Sequence, residues 1–112
     1  MIPLRDHVKG GALTEVTFCI LLSLYTPRHG YAIMQFIEKI TDGRLVLGAG
    51  TLYGALTSLQ KKGWIVPCEK TDERKKDYVI TTDGKEAVEQ DLLRLKELSC
   101  IADEILGGTY HD

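Results

Sequence analysis

A chain of 112 residues is long enough for one modest hydrophobic core and too short for two. With 44% hydrophobic and 27% charged residues it reads as globular, and no apolar run approaches the roughly 20 residues of a membrane span, which excludes a membrane partner. The net charge of −2 is unevenly spread: residues 1–81 carry 11 basic against 8 acidic side chains, residues 82–112 carry 3 against 8. The first 11 residues include Arg5, Asp6, His7 and Lys9 and lack the apolar centre of a secretory signal, so a cytoplasmic location is expected. Cys19, Cys68 and Cys100 are odd in number and lack metal-ligand spacing, so neither a metal nor another cofactor is expected.

Residues 13–24 are apolar around almost the whole helical circumference. Val16, Ile20 and Leu24 fall at one spacing, Leu13, Thr17 and Leu21 at another. Such a helix is covered on more than one side, by the core or by a second subunit. Pro27 ends it, and Arg28, His29 and Gly30 form a turn. Ile33, Phe36, Ile37 and Ile40 make a helical stripe over 31–40, stopped by Thr41, Asp42 and Gly43. Leu45, Val46 and Leu47 are too few for a helix and predict a very short strand. Over 48–62, Leu52, Leu56 and Leu59 line one face of a third helix, and Thr51, Tyr53, Gly54, Thr57, Ser58 and Lys61 occupy the others. Gly63 follows two lysines, as a helix end favours.

Two strand-like runs, 64–69 and 77–81, flank a charge-rich loop and predict a hairpin. Pro67 suits an edge, where its missing N–H costs no ladder bond, and residues 45–47 would supply the third strand. Within 61–76 there are 6 basic residues against 3 acidic, so positive charge gathers directly after the third helix. The longest helical segment is 82–106. Thr81, Thr82 and Asp83 offer capping oxygens, and Asp83 with Glu86 has capping-box spacing. Val88, Leu92, Leu95, Ser99, Ala102 and Leu106 alternate by four and three, with Leu98, Ile101 and Ile105 widening the stripe. A second copy is the natural cover for such a seam, the alternative being a helix folded back over its own domain.

The order helix, helix, short strand, helix, basic-tipped hairpin, long helix is mainly α with a small β-hairpin wing. It is that of a winged helix-turn-helix over 1–81 joined to a C-terminal dimerisation helix over 82–112 in one compact unit. In that arrangement the third helix enters the DNA major groove and the wing reaches a phosphate or the minor groove. Thr and Tyr hydroxyls suit phosphates and base edges, and wing cations neutralise phosphate. His29-Gly-Tyr31, Gly50-Thr-Leu-Tyr53, Ala55-Leu56, Leu59, Lys62-Gly-Trp-Ile65, Lys76-Asp-Tyr78, Ile80-Thr81 and Gly84 together resemble the PadR family of transcriptional regulators. The resemblance spans about residues 12–106. It implies a homodimer joined through the first and last helices that represses promoters at palindromic double-stranded DNA operators and is released by a phenolic or other small hydrophobic effector. The sequence departs from the family at Gly48 and Ala49, where a hydroxyl cap and a proline are common, and at Gly54, which replaces a common proline.

On that frame, DNA contacts fall to Tyr31, Thr51, Tyr53, Gly54, Thr57 and Lys61, and on the wing to Lys70, Arg74, Lys75 and Lys76. Tyr31 sits where a helix N-terminus and a hydroxyl could grip phosphate; a core position is its alternative, and packing against the wing is that of Tyr53. The dimer interface would use Val88, Leu92, Leu95, Leu98, Ser99, Ala102, Ile105 and Leu106. An effector pocket would lie near Thr17, Phe18, Leu21, Leu92, Leu95 and Ser99, which a plain interface core explains as well. His7, His29 and His111 form no catalytic constellation, so an enzyme is not expected. The competing readings are a winged helix that binds protein and a metal or redox sensor with no organic effector.

Overall fold

The computed structural model describes residues 11–68 and 76–112. Helix α1 spans Glu15–Ser23, opened by the Thr14 hydroxyl, which accepts a 3.1 Å hydrogen bond from the Thr17 amide. Cys19, Ile20, Leu21 and Ser23 are buried, so its apolar circumference is indeed covered on several sides. Ser23, the polar member, donates to the Ile20 carbonyl at 2.6 Å. A two-residue strand β1, Arg28–His29, follows, then helix α2 over Gly30–Ile40. His29 Nδ1 caps α2 by accepting from the Ala32 amide at 3.3 Å. Ile33 and Ile37 enter the core, whereas Ile40 is 48% exposed and falls outside the expected stripe. Asp42 and Gly43 then turn the chain with φ of 53° and 80°, the left-handed region that ends helices.

Helix α3 covers Ala49–Lys61 and buries Leu52, Leu56 and Leu59, as their spacing predicts. Gly63, at φ 79°, ends it, and Trp64 donates its amide to the Leu59 carbonyl at 3.0 Å. Strands β2, Ile65–Pro67, and β3, Asp77–Ile80, form the hairpin, with Ile65 opposite Ile80 and Pro67 opposite Tyr78. The sheet order is β1-β3-β2, so Pro67 lies on an edge strand as its missing donor requires.

The third strand is not where the sequence suggested. Residues 45–47 form no strand; Arg28 and His29 occupy that side of β3, opposite Tyr78 and Asp77. Leu47 is buried, Leu45 half-buried and Val46 exposed, an in-out alternation that mimics a strand. The segment instead bridges α2 to α3, held by the Leu45 amide donating to the Thr41 hydroxyl at 3.1 Å. What read as a turn after Pro27 is therefore the strand, because a two-residue ladder carries no periodicity to detect.

Helix α4 runs over Thr82–Leu106, the span expected. Its cap is Thr81, whose hydroxyl accepts from the Gly84 amide at 3.1 Å and donates to the Gly63 carbonyl at 2.7 Å. The cap thus falls two residues before Asp83, and with Gly84 at the third helical position the expected Asp83–Glu86 capping box does not form. Val88 completes the core, and Asp91, 2% exposed, accepts from the Leu13 amide at 3.3 Å and from Arg94 Nε at 2.8 Å. Beyond Asp91 the helix leaves the domain: every residue from 92 onward is exposed except Arg94, and the molecule extends 59 × 31 × 21 Å.

Gly84 lets α4 dock at all. A Cβ there would lie 2.3 Å from the Trp64 carbonyl oxygen, a backbone atom that cannot rotate away. Gly84→Ala is expected to destabilise the fold by about 1–3 kcal/mol despite the better helix propensity of alanine. Denaturant titration measures this; an unchanged or raised midpoint would mean that α4 shifts without cost.

Candidate nucleic-acid interface

Burial of the three α3 leucines turns the opposite side of that helix to solvent. Thr51, Tyr53, Gly54, Thr57, Ser58 and Lys61 are all exposed there, so the structure brings together every α3 residue singled out from sequence. Thr57 donates its hydroxyl to the Tyr53 carbonyl at 3.0 Å, which leaves its methyl and its oxygen lone pairs facing outward. Gly48 caps the helix without a side-chain bond, and Gly48, Gly50 and Gly54 have open space where a Cβ would stand. The N-terminal half of α3 is therefore backbone that another molecule could approach closely.

Tyr53 neither projects freely nor packs solely on the wing. Half exposed, it lies across Gly30, where an added Cβ would come within 2.4 Å of its hydroxyl oxygen and 2.8 Å of Cζ. That contact sets α3 on the N-terminus of α2, and a side chain at position 30 would push the Tyr53 ring aside. Tyr31 next to it is 61% exposed, so it is not a core residue. On β3, Tyr78 is buried, and Lys76, just before the strand, is exposed with its ammonium 6.0 Å from the Tyr78 ring centre. Burial, and then the neighbouring Tyr53, hold the Tyr78 phenol above its ordinary pKa, so it stays a neutral donor.

His29, Gly30, Tyr31, Gln35, Tyr53, Lys76 and Tyr78 thus border one shallow cleft between the start of α2, the side of α3 and the root of the wing. Sequence reasoning missed Tyr78 and His29 as members. The first looks like a strand residue and the second like part of a turn; both resemblance motifs, His-Gly-Tyr and Lys-Asp-Tyr, hold the signal. Lys70, Arg74 and Lys75 lie outside the described residues. Arg28 is committed inward: its guanidinium donates to the Ser23 carbonyl and lies 4.1 Å from the Phe36 ring centre.

On α4, Leu92, Leu95, Leu98, Ile101, Ile105 and Leu106 are 39–86% exposed, a continuous apolar face that none of the described residues of the protomer covers. Ser99 and Ala102 are exposed with them. Val88 is different. At 4% exposure it belongs to the core of its own domain, because α4 is still docked there, and it is not available to a partner. Of the residues expected near an effector, Leu21 is likewise enclosed in the core, Thr17 and Phe18 are half-buried, and Leu92, Leu95 and Ser99 are exposed. Among the described residues no three His, Cys, Asp or Glu side chains gather as a metal site would require. Burial raises the pKa of the Cys19 and Cys68 thiols, which makes them poorer nucleophiles at neutral pH.

Three helices, a three-stranded wing and an exposed third helix define a winged helix-turn-helix of the DNA-binding regulator class. The chain belongs to the PadR-like family of transcriptional regulators, which matches residues 20–90, more than half of its length. It is similar to the H. salinarum protein RosR, at 28% identity and a TM-score of 0.62 over 85% of this chain and 96% of that one. In fold it is similar to a PadR-like transcriptional regulator from Bacillus cereus, at 23% identity and a TM-score of 0.70 over 90% and 96% of the two chains. It is also 38% identical over 73 residues to an uncharacterized 37.1 kDa protein in transposon TN4556 of Streptomyces fradiae, a match spanning 65% of this chain but 20% of that protein.

Gly54 is unneeded by its own fold, since nothing beyond the backbone of its own helix lies within 4 Å of where a Cβ would stand and its φ is negative. Gly54→Ala is expected to stabilise the protein by about 0.5–1 kcal/mol. A thermal midpoint that falls would reveal a constraint on that face within the protomer itself.

Proposed function

We propose that this chain is a homodimeric, sequence-specific DNA-binding repressor. The observation that carries the reading is the face of α3: hydroxyl-bearing and glycine residues turned to solvent by three buried leucines. Thr51, Tyr53, Gly54, Thr57 and Lys61 read base edges or reach flanking phosphates in the major groove, and Tyr31, Lys70, Arg74, Lys75 and Lys76 neutralise or hydrogen-bond to the backbone. A pair of such helices related by a two-fold axis matches a palindromic operator whose half-sites lie roughly 34 Å apart.

Dimerisation supplies that axis. The apolar face of α4 from Leu92 to Leu106, with Leu98, Ser99, Ala102 and Ile105, meets the same face of a second copy, with α1 alongside. A small hydrophobic or phenolic effector fits between α1 and α4 of the two copies, near Thr17, Phe18, Leu92, Leu95 and Ser99, and relieves repression by shifting the spacing of the two α3 helices. The protein works in the cytoplasm on DNA and carries out no catalysis.

Two measurements test this. Affinity for the DNA upstream of its own coding region falls steeply with salt, and joint replacement of Lys75 and Lys76 by Ala lowers the slope of log K against log salt by about 2 while weakening all sequences alike. An unchanged slope removes the wing from the interface. Leu98→Glu combined with Ile101→Glu yields a monomer by light scattering, with affinity for a two-half-site duplex down by about 100-fold or more through lost avidity. A wild-type protein that is itself monomeric at working concentration refutes the dimer.

A further inference from the structure

Helix α4 joins two parts of the molecule: its first half packs on the core that carries α3, and its second half holds the open apolar face. The angle at which it leaves the domain links one to the other. Near its start the Thr81 cap, Gly84 against the Trp64 carbonyl and Val88 in the core hold the helix in place. All fall within its first two turns, about 10 Å of a rod about 37 Å long.

Asp91 is the pin farthest along. Its side chain is 1% exposed, and its Oδ1 accepts from both the Leu13 amide at 3.3 Å and Arg94 Nε at 2.8 Å. Leu13 stands directly before the Thr14 cap of α1, and Ile20 and Leu21 of α1 are fully enclosed in the core. The bond therefore ties α4 to an element that is itself fixed. A buried ion pair is a poor source of stability, and well-packed apolar residues would hold the two helices together as well. What it adds is position: apolar surfaces slide over one another, whereas hydrogen bonds weaken steeply with distance and angle.

Past Asp91 the helix runs on to Leu106, about 22 Å, without cover from the described residues. A tilt of about 10° at Asp91 displaces the far end by roughly 4 Å, more than the rise of about 3.4 Å between neighbouring nucleotides of a DNA strand. We propose that Asp91 is a positioning residue for operator geometry: by fixing the exit angle of α4 it sets the separation of the two α3 helices in the dimer, and so the half-site spacing that the protein accepts. This rests on the dimeric DNA-binding reading above and adds to it the residue that determines spacing. With the distal faces of two copies clasped, a rotation at Asp91 is carried to the domain and its α3 instead of to the helix tip. Asp91 needs no contact with DNA in this role.

The test uses a duplex that the wild-type protein has selected from a random pool, remade with one base pair added or removed between the half-sites, and a duplex that holds one half-site alone. Wild type loses about tenfold or more in affinity at either altered spacing. Asp91→Leu fills the site but removes the acceptor; its loss at the altered spacings shrinks to about threefold or less, while its affinity for the single half-site stays at the wild-type value. Asp91→Asn keeps an acceptor oxygen for Leu13 and Arg94 and keeps the wild-type spacing preference. A merely structural role weakens every duplex alike and leaves the spacing profile unchanged, which overturns the proposal. So does an Asn variant that behaves as the Leu variant does. If Asp91→Leu yields no folded protein, Arg94→Met takes its place: with one of the two bonds gone, the loss at the altered spacings shrinks to about fivefold or less, and an unchanged profile overturns the proposal. A wild type that is monomeric or retains no duplex brings down the dimeric DNA-binding reading and this role with it, whereas one that binds two half-sites at any spacing removes the role of Asp91 alone.

Discussion

The orientation of α3 about its own axis is the constraint on which the rest depends. Leu52, Leu56 and Leu59 are at most 2% exposed, and they pack into the same core as Ile20, Leu21, Ile33 and Ile37. Burying each is worth about 1.5–3 kcal/mol, so rotating the helix to hide its hydroxyls would expose several such side chains at once. The polar face is thus presented to solvent by the energetics of the opposite face. Tyr53 adds a second restraint by lying on Gly30, which couples the position of α3 to the first turn of α2.

A different device governs α4. Its first ten residues are held by close, specific contacts: the Thr81 cap, Gly84 against the Trp64 carbonyl, Val88 in the core, and Asp91 buried beneath the start of α1. Asp91 is tolerated because both Leu13 and Arg94 donate to it; an unpaired carboxylate at 2% exposure would be strongly unfavourable. After that point nothing in the protomer's described residues covers the helix. The same element is therefore domain core at one end and an open apolar surface at the other, and Val88 and Leu92, one turn apart, fall on opposite sides of that boundary.

Much of this is legible in the chain itself, and particular residues show why. The leucines of α3 and the extent of α4 follow from 3.6-residue periodicity over long windows, where each position adds to the same signal. A third strand beside the hairpin is also expected, but composition puts it in the wrong segment. Leu45, Val46 and Leu47 have strand composition, whereas Arg28 and His29 have none, and the choice between them is made by which segment lies beside β3. Along α4 the apolar stripe includes Val88 together with Leu92 and Leu95, although Val88 belongs to the core, since periodicity does not tell a partner from a core. In the cleft, the motif residues Tyr31 and Tyr53 are recognisable, but Tyr78 reads as an ordinary inward strand residue until α2 and α3 are set around it.

By itself the sequence determined the number and type of the main helices, the hairpin, the faces each helix buries and the family to which the chain belongs, because these rest on local propensity, periodic burial and short motifs. Tertiary structure alone decided the strand that completes the sheet, the glycines at 30 and 84 that admit a side chain and a carbonyl, and the meeting of Tyr31, Tyr53, Lys76 and Tyr78. Those depend on the separation of atoms far apart along the chain, which no local pattern encodes.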